Sequence, residues 1–154
     1  MKNIIVISLF LAFLAGLLLL PLKSNAFFGP WTNKFQTVQA ENGVVRIPLK
    51  SIDNGEAHYF TFKAQGKNIN FFVLQSRDGI IRAAFDACDV CFPEKKGYSQ
   101  AGDFMVCVNC GQRFHSSKIN VLKGGCNPAP LNRATSGEDL VITTSDIISG
   151  FRYF

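Results

Sequence analysis

The run Ile69-Asn70-Phe71-Phe72-Val73-Leu74-Gln75, then Ser76-Arg77-Asp78-Gly79, then Ile80-Ile81-Arg82-Ala83-Ala84-Phe85 decides the fold class. Both flanking runs are rich in β-branched and aromatic residues, and Asp78-Gly79 supplies the positive φ that a tight hairpin needs. Phe71 and Val73 alternate with Phe72 and Leu74, so the first strand is apolar on both faces. Such a strand belongs in the middle of a packed sheet or sandwich.

Outward from this hairpin, Gly and Asp/Asn turn signals recur at short intervals. No stretch after the N-terminal segment keeps apolar residues at helical spacing for three turns. Further strands are expected at Val44–Leu49, His58–Ala64, Phe104–Val106, Ile119–Leu122 and Leu140–Thr144, and Phe151-Arg152-Tyr153-Phe154 reads as a last strand covering the core. The expected class is all-β. A chain of 154 residues has room for one sizeable core, and 15 Phe with 18% charged residues exclude a disordered chain.

The segment Ile4 to Leu22 is apolar apart from Ser8, follows Lys2 and leads through Pro21 to Ser24-Asn25-Ala26. It reads as a secretory signal cleaved after Ala26 or as an uncleaved single-pass anchor, since it is long enough to cross a bilayer. Either places the remainder outside the cytoplasm, in the periplasm or held at the membrane. The expected organisation is therefore 1–26 signal or anchor, 27–42 linker and 43–154 folded domain. Setting aside Lys2 and Lys23 leaves 14 basic against 11 acidic side chains. They are scattered, with no basic stripe to suit a nucleic acid.

All five cysteines lie downstream: Cys88-Asp-Val-Cys91, Cys107-Val-Asn-Cys110 and Cys126. Two residues between cysteines let one turn aim both sulfurs at one guest, and two such turns supply four thiolates. Zinc and an iron–sulfur cluster both fit that donor set. Disulfide bonding suits an exported domain but leaves one of five cysteines over. Thiol exchange is the third reading, although redox CxxC motifs usually open a helix in a βαβ setting. Phe92 and Gly111 follow the two pairs, which disfavours covalent haem attachment. Gly111 is expected to let backbone N–H groups approach a ligand sulfur. Cys126, in Gly124-Gly125-Cys126-Asn127-Pro128-Ala129-Pro130, reads either as a fifth or replacement ligand or as a buried inert thiol. His115 is a further candidate ligand, but a lone His between Phe114 and two serines reads more readily as a surface group. With only His58 and His115 as imidazoles, no catalytic triad, carboxylate pair or phosphate loop can be assembled, and no small-molecule substrate is evident.

Cys88-Asp-Val-Cys91, Lys96-Gly97-Tyr98, Val106 to Gly111, Phe114 and Gly124 to Pro128 together resemble the FtrD-like membrane iron–sulfur family, over roughly Arg46 to the C-terminus. That resemblance implies electron transfer beside a ferrous-iron permease in the cell envelope, with membrane iron-uptake or redox proteins as partners. The family is associated with longer, multi-span proteins, so a chain with one apolar segment would meet its membrane partner in trans.

A more distant likeness is to Rieske-type domains. It is carried by Ile47-Pro48-Leu49, Gly55-Glu56-Ala57, Asp78-Gly79, the cysteine pairs, Phe114 and Pro128-Ala129-Pro130-Leu131. It implies a β-sandwich with a cysteine-rich cluster-binding subdomain, in which Cys91 and Cys110 stand where Rieske histidines would be. A two-iron two-sulfur cluster on Cys88, Cys91, Cys107 and Cys110 would then be a low-potential donor, because four thiolates add negative charge. The alternative is a module holding structural zinc or metal in transit and docking to a membrane transporter.

Overall fold

The computed structural model describes residues 33–154. The signal or anchor expected over 1–26, and the first part of the expected linker, lie outside the described residues. Among those described, no helix is long and apolar enough to cross a membrane.

The described chain is strand-dominated, as expected. Ten strands follow in order: β1 Phe35–Val38, β2 Val44–Pro48, β3 His58–Ala64, β4 Lys67–Gln75, β5 Ile81–Phe85, β6 Tyr98–Ala101, β7 Phe104–Cys107, β8 Arg113–His115, β9 Ala134–Ser136 and β10 Asp139–Thr143, with one short helix, α1 Thr144–Ile148. They form a four-stranded sheet β1-β3-β4-β5, a three-stranded sheet β2-β10-β9 and a three-stranded sheet β6-β7-β8.

The hairpin read first is present, with Gln75 opposite Ile81 and Phe71 opposite Phe85. Its turn closes through Gly79 N–H to the Ser76 carbonyl (2.8 Å) and Ser76 N–H to the Ile80 carbonyl (3.0 Å), with Gly79 at φ 77°. Strand β4 is central, paired antiparallel to β3 on one side and β5 on the other.

Side chains alternate across a strand, and β4 uses both faces. Ile69, Phe71 and Val73 enter one core, shared with Val45 and Ile47 of β2 and Leu140 and Ile142 of β10. Phe72 and Leu74 enter a second core, shared with Tyr98, Met105, Cys107, Cys88 and Ile119. The four-stranded sheet is therefore the middle layer, with the β2-β10-β9 sheet packed on one face and the cysteine-bearing β6-β7-β8 sheet on the other.

Three local readings differ from the sequence expectation. Ile119–Leu122 is a turn rather than a strand: it follows a 3₁₀ turn at Ser116–Lys118, and Asn120 sits at φ 61°, a conformation Asn tolerates better than most residues. Phe151–Tyr153 is a 3₁₀ turn, not a strand. It nevertheless covers the core, with Tyr153 buried and Phe85, Phe92 and Phe154 around it. Strand β1 lies within the stretch read as linker and pairs in parallel with β3, Phe35 opposite Tyr59 through Val38 opposite Phe62.

Candidate metal centre

The two CxxC turns grow from neighbouring strand ends. The first follows β5 directly. Asp86 closes that strand by donating its N–H to the Asn70 carbonyl (2.9 Å), and its carboxylate accepts from Tyr98 N–H (2.7 Å) and Lys34 Nζ (2.8 Å). Burial pushes the Asp86 carboxyl up from its ordinary range, while Lys34 pulls it back. Gly97 makes this join possible, since a Cβ there would fall 2.3 Å from Asp86 Oδ2. The second turn caps the β7–β8 hairpin, with Gly111 N–H on the Cys107 carbonyl (2.9 Å).

The turns bring their sulfurs together. Cys91, Cys107 and Cys110 form one group with sulfurs within 4.8 Å of one another, and Cys88, Cys91 and Cys126 form a second. Cys91 belongs to both. Its sulfur lies 3.8 Å from that of Cys126, and all five thiols are free of disulfides. Cys88 and Cys107 are buried at 1% and 2% exposure, whereas Cys110 is exposed.

Cys126 reaches the cluster because its loop runs alongside the start of the first turn. Ala129 N–H donates to the Ala87 carbonyl (2.9 Å), Phe85 N–H to the Ala129 carbonyl (2.8 Å), and Ala84 bridges to Pro130. Tyr98, buried against Phe72 and Phe114, donates its hydroxyl to the Cys126 carbonyl (2.6 Å). Burial, with the Cys88 thiol beside it, raises the Tyr98 phenol far above its ordinary range, so it remains a donor.

Backbone N–H groups point at the sulfurs. Cys91 N–H donates to Cys88 Sγ at 3.1 Å. Burial pushes the Cys107 thiol up to about 11, against the pull of N–H groups from Cys110 and Asn109. The Gln112 N–H holds Cys110 below its ordinary value, and burial carries Cys126 up to about 12. The N–H groups expected to approach a sulfur around Gly111 are those of Asn109, Cys110 and Gln112. Gly111, at φ 75°, makes the turn that aims them.

His115 has other partners. Its Nδ1 accepts from Ser117 N–H (3.3 Å) and lies 2.9 Å from Ser117 Oγ, capping the turn at Ser116–Lys118, and its ring meets Phe104 edge-on.

Five thiols converging from three loops on a layered β domain, with amide hydrogens turned toward them, are the donor set of a protein that binds a soft metal. The model of the FtrD-like family, membrane iron–sulfur containing proteins, matches residues 52–154. The chain belongs to that family, and with it to the metal-binding, iron-related, membrane-associated proteins the family describes. An iron–sulfur group fits the residues present, because every donor is a thiol and amide hydrogens accompany them. No curated protein matches the chain. Among solved structures, the quaternary ammonium Rieske monooxygenase CntA in complex with an inhibitor is similar, at 15% identity and a TM-score of 0.43. That likeness covers 64% of this chain and 30% of the monooxygenase chain.

Proposed function

We propose that this protein is an extracytoplasmic electron carrier of the cell envelope, with Cys88, Cys91, Cys107 and Cys110 holding a two-iron two-sulfur cluster. Its 1–26 segment exports or anchors the domain, and its partners are membrane proteins of iron uptake or redox chemistry. The observation that carries the reading is that the thiols of the two CxxC turns are linked through Cys91, which lies within 4.8 Å of Cys107 and Cys110 on one turn and of Cys88 on its own. A single tetrahedral ion with sulfurs at about 2.3 Å draws its four ligands into one group about 3.8 Å apart. Cys88 does not fall in the group formed by Cys91, Cys107 and Cys110, so the four thiols of the two turns spread wider than one ion requires, which suits a centre with two metal atoms.

When bound, such a cluster supplies one-electron transfer at a potential lowered by four thiolates. The chain's own residues set the surroundings. The N–H groups of Asn109, Cys110 and Gln112 stabilise negative charge on the second turn, and Tyr98 with Phe72 and Phe114 closes the inner side to water. Cys110, together with Val90 and Val108 in the two turns, is exposed and forms the side open to a redox partner.

The test is full-length protein purified without oxygen, assayed for iron, sulfide and zinc and examined by electron paramagnetic resonance after reduction. Two irons per chain with a reducible signal are expected, lost in Cys91→Ser and retained with an altered signal in Cys126→Ser. One zinc per chain and no iron after expression with intact cluster assembly would overturn the reading.

A further inference from the structure

A cavity of about 580 Å³ opens beside the cysteine cluster, with Cys88, Cys91 and Cys107 in one wall. This is within the size range of small-molecule sites, roughly 300–1,000 Å³, and most of its lining residues are not cysteines. The remaining walls carry Lys34, Lys67, Lys95 and Lys96, and Asp86 is the one carboxylate side chain among the lining residues.

Two of the four ammonium groups are committed within the fold. Lys34 pairs with Asp86 and the Tyr98 carbonyl, and Lys67 lies over the Phe151 ring and donates to the Phe151 and Phe154 carbonyls. The other two are not neutralised: Lys96 Nζ meets only the Asn109 side-chain oxygen at 3.1 Å, and the Lys95 ammonium has no hydrogen-bond or ion-pair partner among the described residues. The Asn70 amide, also in the wall, likewise has no side-chain hydrogen bond there. None of the four ammonium groups donates to a cysteine sulfur among the described residues, so balancing thiolate charge by direct contact does not account for them.

We propose that this cavity binds a small multivalent oxyanion, a di- or tricarboxylate or a phosphate, held by Lys95, Lys96 and Asn70 against the cysteine cluster. Paired cations with a neutral amide match an anion with several oxygens. The volume leaves space for a molecule larger than a single inorganic ion. The site rests on the cavity walls and stands whichever metal the cysteines hold.

The experiment is calorimetric titration of the full-length, metal-loaded chain in detergent with citrate and, separately, with inorganic phosphate, at constant ionic strength. One saturable site per chain is expected for at least one anion, and the anion that binds distinguishes carboxylate from phosphate. Lys95→Gln/Lys96→Gln removes two exposed charges and is expected to weaken binding at least about tenfold, as loss of charged donors does. The control Lys50→Gln/Lys63→Gln removes the same charge from exposed positions outside the cavity and is expected to change affinity less than about twofold. As a second readout, the anion is expected to raise the melting temperature of wild type and of the control but not of the cavity variant. Absence of saturable binding of either anion, or equal weakening by the two double variants, would overturn the proposal.

Discussion

The two cores on either side of β4 are built from different chemistry. The one shared with β2 and β10 is entirely aliphatic and aromatic, and it includes Ile52, Phe71, Leu131, Leu140 and Ile142 at or near zero exposure. The one shared with β6 and β7 is smaller and includes buried Cys88 and Cys107 among Phe72, Leu74, Tyr98 and Met105. Apolar burial, at roughly 25 cal/mol per Å², accounts for the first without any guest. The second gives up aliphatic packing to hold thiols at fixed positions. Stability and chemistry are thereby assigned to opposite faces of one strand.

The largest expected effect is on the aliphatic side. Phe71 is fully buried and stacks on Phe60 at 5.5 Å, so Phe71→Ala should cost about 3–5 kcal/mol, measured by urea unfolding. Because β4 serves both layers, this variant should also fail to retain metal. A variant that kept full metal content while losing that much stability would show that the layers are independent.

A smaller loss should follow at the join. Gly97→Ala places a methyl against the Asp86 carboxylate at a backbone φ of 65°, which costs roughly 1–3 kcal/mol. Hydrogen exchange should then accelerate in β6, β7 and β8 before β3, β4 and β5. Uniform acceleration would mean that the cysteine layer does not open separately.

The smallest effect concerns the hairpin turn. The Ser76 hydroxyl, with Ile80 N–H and Arg82, holds the Asp78 carboxyl down at about 2, below its ordinary 3.8. A folded-state value below the unfolded one contributes stability that is present above about pH 4 and is lost as pH falls through about 2. The urea midpoints of Asp78→Asn and wild type should therefore differ most near neutrality and converge toward pH 2. A constant offset would assign the turn's stability to Gly79 and the backbone.

How far the sequence spoke depended on how local the signal was. The β4–β5 hairpin and β3 were legible because alternation and Asp78-Gly79 act within a few residues. Strand β1 offered only four residues, Phe35-Gln-Thr-Val38, and its partner β3 lies some twenty positions away. The α1 helix carries a local mark in Thr143-x-x-Asp146, where Thr143 Oγ1 accepts from Asp146 N–H at 3.1 Å, but the apolar alternation of Leu140–Thr144 masks this capping pattern. That helix delivers Gly150 against the Phe85 ring, where a Cβ would lie 2.3 Å away, and so turns the final aromatic run into a 3₁₀ cover. In the metal centre, the CxxC spacing announced two sulfur-bearing turns. Both readings of Cys126 set it at the cluster, but what brings its sulfur to Cys91, the pairing of Ala129 and Pro130 with Phe85, Ala84 and Ala87 some forty positions earlier, is marked by no local pattern.

The two-faced β4 has a consequence for how such a protein changes over evolutionary time. Odd positions Ile69, Phe71 and Val73 answer to one set of neighbours, and even positions Phe72 and Leu74 to another. Substitutions at the even positions change the packing around the thiols and those at the odd positions change the opposite core, each at the cost of its own layer's packing. A one-residue insertion would exchange both sets at once, so the strand can drift in composition but not in length.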